Sequence, residues 1–215
     1  GEFDFQLEGV EPPAAVNVVP HTSFSIRNIQ FQKAKSNGDS DGLTFWVNDA
    51  EDPFRKNRVQ LARCSLPFGV SDFSGKKSLC LDVSNPQLLQ FFEQFDANVL
   101  EYIQAEHVKM FNRQTPLDKG TLSEMYRPLL KDTQGKYAPK IRMRLTEGDD
   151  NRRTRIFVME EDGQSWRTGT LEDLQSRVEI TPIVSFTQLY FRDANFGMCM
   201  EASDVLVWPS HITPE

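Results

Sequence analysis

The sequence is poor in cysteine and in long apolar runs, and each shortage excludes a class of protein. Its three cysteines, Cys64, Cys80 and Cys199, are too few and too widely spaced for a disulfide framework or a C-x-x-C metal or redox motif. The chain has no run of about 18 apolar residues and no charged, then apolar, signal-like start, and its mean hydropathy is -0.48. We therefore predict a soluble, intracellular protein without a membrane span.

The chain also lacks the short motifs of common active sites. It has no G-x-S-x-G, H-E-x-x-H, G-x-x-x-x-G-K-[ST] or G-x-G-x-x-G sequence. Carboxylates at 149–150 and 160–162 fall in predicted turns without the spacing of a calcium loop, so solvated loop charge is the favoured interpretation. We expect no enzyme activity, no cofactor and no bound metal; a metal-dependent nuclease that uses these turn carboxylates is kept as an alternative.

Positive charge is also in short supply. The 215 residues include 24 Lys+Arg and 31 Asp+Glu, which gives a net charge of -7. A chain this acidic is not expected to bind a polyanion over its whole surface, so any such site must be local. The hydrophobic content of 39% is enough for a sizeable core.

Periodicity divides the chain into a short lead-in and one domain. Residues 1–22 are acidic and proline-rich and are predicted to be a flexible lead-in, of which residues 1–3 resemble a tag remnant. Residues 23–210 are predicted to form a single domain with a helical insertion at 85–130. Strand-like alternation occurs at 24–31, 43–47, 58–64, 78–83, 138–146, 153–159, 177–186, 189–191, 197–200 and 205–207.

Two helices are predicted between these strands. Asn85 can cap a helix that begins at Pro86, and apolar residues then recur at helical spacing to about Phe111. The outer face of this long helix carries Glu93, Asp96, Glu101 and Glu106 and would repel a phosphate backbone. A short helix is predicted from the capping box at 121–124 to about Arg127, where Pro128 ends it. The fold class is mainly β with an α insertion (α+β), as a closed or nearly closed antiparallel barrel.

The strongest functional signal is the alternation of 140–145. In an extended strand Lys140, Arg142 and Arg144 line one face, and Ile141, Met143 and Leu145 line the other. Arg153 and Arg155 repeat this pattern on the next predicted strand, and Lys56 and Arg58 form a second basic cluster that could extend a groove. Such a surface suits a phosphate backbone.

Aromatic residues accompany the basic strand. Tyr137, Trp166 and Trp46 are predicted to stack on bases, which requires no sequence reading. Phe45, Phe68, Phe191 and Phe196 are assigned to the core instead. In the alternative interpretation, the arginines pair with Glu147, Glu160 and Glu161 across turns, and the protein is a protein-interaction or virion-structural β-barrel.

Two blocks resemble a known family. They are LSEMYRPLLK at 122–131 and GKYAPKIRMR at 135–144, and they are similar to a block in single-stranded-DNA-binding proteins of large DNA viruses and related algal and phage sequences. The segments VSFTQLYFR at 184–192, NFGMCM at 195–200 and VLV at 205–207 are similar to the final hairpin of that family. The resemblance spans roughly residues 24–208.

The resemblance implies an oligonucleotide/oligosaccharide-binding (OB) barrel that coats unwound DNA in replication, recombination or repair. Lys140, Arg142 and Arg144 fall where the family has its cationic strand. The implied partners are single-stranded DNA and replication proteins, and the implied location is the nucleus or a cytoplasmic viral replication site. RNA is left open as a ligand because discrimination depends on contacts to the 2′-hydroxyl. The oligomeric state is also left open.

Overall fold

The structure, a computed structural model, describes residue 13 and residues 17–36, 42–148 and 151–209. These residues form a mainly β fold with two α-helices. The strands are β1 (Val19–Pro20), β2 (Ile29–Phe31), β3 (Lys35–Ser36), β4 (Leu43–Asp49), β5 (Val59–Gln60), β6 (Cys64–Ser65), β7 (Val70–Phe73), β8 (Lys76–Asp82), β9 (Tyr126–Arg127), β10 (Lys140–Arg144), β11 (Arg155–Met159), β12 (Trp166–Thr168), β13 (Glu179–Arg192) and β14 (Asn195–Trp208). The helices are α1 (Pro86–Met110) and α2 (Lys119–Met125). The predicted tag remnant, Asp149 and Asp150 lie outside the described residues.

The sheet is mixed, so the prediction of purely antiparallel pairing is wrong. β9, β10 and β11 run parallel to β14, and β1 runs parallel to β5. Parallel neighbours need a long connection, and residues 145–194 supply one between β10 and β14. Alternation of side chains is the same in both directions, so the sequence pattern carried no information on strand direction.

Five strands are paired in a closed cycle. β6 pairs with β8, β8 with β10, β10 with β14, β14 with β13, and β13 with β6. Side chains from these strands and from α1 form the main core, in which Leu79, Leu81, Ile141 and Phe186 are fully buried.

The last two strands form one long hairpin. Its two turn residues, Asp193 and Ala194, both have positive φ, as the tightest hairpin turns require, and the predicted turn at 192–195 is confirmed. The predicted separate strands within 177–207 are parts of this hairpin. Register shifts at Ile183/Val184 and Phe186/Gln188 interrupt the alternation, which is why the pattern predicted several strands.

Helix α1 begins and ends as predicted. The Asn85 side chain accepts a hydrogen bond from the backbone N–H of Leu88 at 3.0 Å, and Pro86 occupies the first turn. Asp96, however, is buried and does not belong to the acidic outer face. Helix α2 begins two residues before Thr121, because Asp118 rather than Thr121 caps it, and it ends at Met125.

The N-terminal part of the domain differs from the prediction. Residues 24–31 contain a 3-10 helix at Ile26–Asn28, and β2 is the only strand there. β1 lies within the segment predicted to be a lead-in and pairs with β5. Neither helix among the described residues carries an apolar stretch that would serve as a membrane span.

Candidate nucleic-acid interface

The basic strand β10 has the predicted alternation. Arg142 and Arg144 are exposed, Lys140 is half-buried, and Ile141 and Met143 are buried in the core. On one side β10 pairs with β8, so Arg142 lies opposite Cys80 and Arg144 opposite Ser78. The outward side chains of these two strands therefore form one surface.

The three cations of β10 differ in their partners. Lys140 forms an ion pair with Asp82, its cross-strand neighbour. Arg142 donates from Nη1 to Ser78 Oγ at 2.8 Å. Neither Arg142 nor Arg144 forms an ion pair within the part of the chain that the structure describes. Glu147, one of the acids considered as a neutralising partner, lies 2.6 Å from Lys77 Nζ instead.

An open groove of about 1020 Å³ runs beside Arg142 and Arg144. Seven basic and two acidic side chains line it: Lys76, Lys77, Arg127, Lys131, Arg142, Arg144 and Arg192 against Asp132 and Asp193. The hydrogen bond to Glu147 raises the pKa of Lys77. This lysine is therefore charged, and Glu147 partly neutralises its charge. We call this surface the first groove. It is a local positive site on an acidic chain.

Two hairpins form the rims of the first groove. The β7–β8 hairpin turns at Ser74 and Gly75, both with positive φ, and presents Phe73 and Lys76 on either side of that turn. Phe73 is 81% exposed. The β13–β14 hairpin contributes Arg192 and, through the outward face of β13, Tyr190.

The segment after β9 forms a further wall and is held by Asp96. The Asp96 carboxylate accepts hydrogen bonds from the Tyr126 hydroxyl at 2.6 Å and from the backbone N–H groups of Leu129 and Leu130 at 2.9 and 3.0 Å. Burial raises the pKa of Asp96, and these three hydrogen bonds oppose that shift. Arg127 and Lys131, which flank the anchored residues, line the groove as a result.

Trp46 lies on the same outward sheet face as Arg144. Trp46 pairs with Gln188 across β4 and β13, Gln188 pairs with Cys199 across β13 and β14, and Arg144 pairs with Glu201 across β10 and β14. The Gln188 amide also contacts Cys199 Sγ at 3.5 Å. Trp46 is 45% exposed.

The other aromatic residues are distributed differently from the prediction. Tyr137 is 73% exposed, in the loop that the Lys131–Lys140 bridge closes. The assignment of Phe68 to the core is wrong: it is 69% exposed, and the Lys140 ammonium lies 5.7 Å from its ring centroid. Gly69, the next residue, has a positive φ, which glycine adopts without steric cost. Phe45 and Phe196 are buried, and Phe191 is half-buried.

Trp166 is separated from the basic strand. It lies on β12, which pairs with β11 at the end of the strand order. Its ring packs edge-on against Trp208, with 5.2 Å between the ring centroids. The side chain is half-buried. The structure does not bring Trp166 to Arg142 and Arg144, and its predicted stacking on bases stays a prediction.

The remaining predicted cations form a second groove of about 660 Å³. It is lined by Lys56, Arg58, Arg152, Arg153 and Arg155, with Asn151, Ser185, Glu201, Ser203 and Asp204. Arg58 and Arg155 both form ion pairs with Asp204, the latter at 2.6 Å between Arg155 Nε and Asp204 Oδ1. Of the predicted site residues, Arg142 and Arg144 line the first groove, and Lys56, Arg58, Arg153 and Arg155 line the second. The lining of both grooves lacks Lys140, Trp46, Tyr137 and Trp166.

Several lining residues were missed by sequence reasoning. They are Phe73, Lys76, Arg127, Lys131, Tyr190 and Arg192. A signal existed for some of them, because Ser74-Gly75 between Phe73 and Lys76 is a hairpin turn sequence, and Tyr190 and Arg192 alternate with core residues. No such signal exists in the sequence for the ion pairs of Asp204, because both partners, Arg58 and Arg155, are distant from it along the chain.

Of the carboxylates in the nuclease alternative, Glu160, Glu161 and Asp162 lie among the described residues. Among residues 17–36, 42–148 and 151–209, no three His, Cys, Asp or Glu side chains are grouped to hold a metal ion. Asp162, in the predicted turn, instead accepts hydrogen bonds from Gln164 and Ser165, which lower its pKa.

Comparison with known proteins gives similarity at the level of structure. No family model and no curated protein sequence matches the chain. The single-stranded DNA-binding protein from bacteriophage Enc34 is similar with a TM-score of 0.44 and 12% identity, over 86% of this chain and 92% of that chain. Its C-terminal truncation gives a TM-score of 0.41 and 12% identity, over 84% of this chain and 94% of that chain. These structural neighbours are phage single-stranded DNA-binding proteins.

Proposed function

We propose that this protein binds single-stranded DNA, largely independently of sequence, and protects unwound DNA in replication, recombination or repair. The observation that carries the proposal is the first groove, in which Arg142 and Arg144 have no acidic partner among the described residues. Seven basic side chains face two acidic ones there, although the whole chain is acidic. Phosphates that enter such a groove displace counterions and gain affinity from each contact.

The neighbouring aromatic residues support a single strand as the ligand. Phe73 at the groove rim and Trp46 on the same sheet face are exposed, and an exposed ring can stack on any base. Bases in a duplex are already stacked on one another and are not available to these rings. The predicted roles are therefore phosphate contact for Lys140, Arg142 and Arg144, and stacking for Trp46 and Tyr137.

We further propose that the domain is OB-like. The closed cycle of β6, β8, β10, β14 and β13 supports this, because OB folds are built from five strands in a closed or partly open barrel. OB folds bind oligonucleotides on the face of their second and third strands and with the loops beside it. In this chain β8 and β10 occupy the second and third places, and the first groove lies against them.

A titration of oligo(dT) at two salt concentrations tests the proposal. We expect the wild type to bind and the double variant Arg142→Ala, Arg144→Ala to bind about tenfold more weakly at low salt, a loss of about 1.4 kcal/mol. The slope of log K against log salt should also become shallower by about 1.4, because single strands contribute about 0.7 per phosphate contact.

The matched control removes two cations elsewhere. Lys109 on α1 and Arg167 on β12 line neither groove, so Lys109→Ala with Arg167→Ala should keep the wild-type affinity and salt slope. Equal losses in both double variants would mean that only net charge matters. Absence of binding by the wild type at low salt would refute the function. RNA and duplex DNA, run alongside, measure the preference among nucleic acids.

A further inference from the structure

The two grooves meet on the outward face of β14. Arg144 lines the first groove, and Glu201, its partner in the β10–β14 pairing, lines the second. Cys199, two residues earlier, lines the first groove, and Ser203, two residues later, lines the second. The two positive sites are therefore neighbours along one strand.

The second groove is built around a buried carboxylate. The Asp204 side chain is only 1% exposed, and it holds Arg58 from one side and Arg155 from the other. Ser203 Oγ donates a further hydrogen bond to Asp204 Oδ2 at 2.8 Å. One carboxylate thus fixes two guanidinium groups, and their combined charge exceeds its own.

Arg155 is fixed in a way that leaves it able to bind an anion. Its Nε faces Asp204, while the side chain is 50% exposed and its Cζ lies 5.9 Å from the Phe157 ring centroid. A guanidinium that is already oriented loses little conformational entropy when it binds phosphate. With Lys56, Arg152 and Arg153 the groove has five basic side chains against two acidic ones.

Resting on the proposed function, we infer that one DNA strand occupies both grooves in succession. The strand leaves the first groove at Arg144, passes Glu201, and continues along Arg155, Arg153 and Lys56. Glu201 is the one acidic side chain at the junction of the two grooves among the residues that line them, and Thr146 Oγ1 holds it by a hydrogen bond of 2.6 Å. Its charge repels the strand at the crossing.

The distance between the two grooves determines which oligonucleotide lengths can reach both of them. Gly197, which pairs with Arg127 in the first groove, and Asp204 in the second are seven residues apart on β14, about 23 Å at strand spacing. Single OB folds cover about 4 to 16 nucleotides. Short oligonucleotides should therefore fill the first groove alone, and long ones should reach the second.

The experiment measures oligo(dT) affinity for lengths from about 4 to about 16 nucleotides. The test variant is Lys56→Ala with Arg153→Ala, which removes two exposed cations of the second groove and leaves the Asp204 ion pairs intact. We expect its affinity to equal that of the wild type for the shortest oligonucleotide and to fall about tenfold below it for the longest. Glu201→Gln should strengthen binding of the longest oligonucleotide severalfold and leave the shortest unchanged.

Other results separate the alternatives. The continuous path is overturned if the affinity of the test variant equals that of the wild type at every oligonucleotide length. It is also overturned if that affinity is lower by the same factor at every length. Two of the longest oligonucleotides bound per protein at saturation also overturn it, because they indicate two independent sites. A wild type that binds short oligonucleotides without gaining affinity with length leaves the proposed function intact and refutes this inference alone.

Discussion

The Tyr126 hydroxyl donates a hydrogen bond to Asp96 Oδ1 at 2.6 Å, joining the start of β9 to the middle of helix α1. The same carboxylate accepts from the backbone of Leu129 and Leu130. The acidic helix therefore contributes to the candidate interface indirectly: it anchors the segment that carries Arg127 and Lys131 into the first groove.

Replacement of Asp96 by Asn should destabilise the protein in a pH-dependent way. The amide can still accept hydrogen bonds at Oδ1, but its NH₂ group would face the Leu130 N–H, and an unsatisfied buried donor costs about 1–3 kcal/mol. Because burial raises the pKa of Asp96, the folded state holds its proton more tightly than the unfolded state. The contribution of Asp96 to the free energy of unfolding is therefore greatest at low pH. It falls as the pH rises from 3.8, the pKa of the group in the unfolded state, through its higher pKa in the folded state.

The free energy of unfolding, measured in urea from pH 3.5 to 7, checks this expectation. The difference in free energy of unfolding between the wild type and Asp96→Asn should become smaller as the pH increases. A difference that becomes larger over this range would show that the hydrogen bonds outweigh burial at Asp96.

Replacement of Trp46 by Phe should remove most of the tryptophan quenching by oligo(dT). Trp46 is the exposed indole on the face of Arg144, whereas Trp208 is buried and Trp166 packs against it. Trp166→Phe should leave the quenching in place. If Trp166→Phe removes the signal and Trp46→Phe does not, the strand follows β12 and the stacking role predicted for Trp166 is correct.

Replacement of Phe73 by Ala should weaken binding of a short oligonucleotide without affecting the fold. Stacking on one exposed ring contributes about 1–3 kcal/mol per base, whereas truncation of a surface side chain changes stability by about 0.5 kcal/mol or less. Phe54→Ala is the matched control, because Phe54 is also highly exposed but lines neither groove. Equal affinities for wild type and Phe73→Ala would exclude stacking at this rim.

Replacement of Asn57 by Ala should lower the free energy of unfolding by about 2–4 kcal/mol, because two buried backbone groups lose their partners. Asn57 is buried, donates to the Phe186 carbonyl at 2.9 Å, and accepts from the Phe186 N–H at 2.8 Å. These bonds provide partners for the backbone groups of Phe186, beside which the register of β13 shifts. Urea unfolding with an unchanged m-value measures the effect, and Asn98→Ala on α1 serves as a control with a small expected change. A cost below 0.5 kcal/mol, like that of an ordinary surface change, would argue against this role.

Local patterns were sufficient for the elements that depend on near neighbours in sequence. Asn85 and Pro86 fixed the start of α1, the alternation of 140–145 fixed the two faces of β10, and the turn between Arg192 and Asn195 was identified from its residues. Each of these follows from side-chain period or turn chemistry within about ten residues.

Contacts between distant residues decided how the basic side chains are grouped. The sequence by itself determined that Arg142 and Arg144 share a face, because a strand places alternate residues on one side. Only the tertiary structure separated Arg58 and Arg155 into a second groove, since both pair with Asp204, which is 146 residues from Arg58. The same holds for Asp96 and Phe68, whose burial and exposure depend on which segments pack against them, and side-chain periodicity carries no information on such pairings.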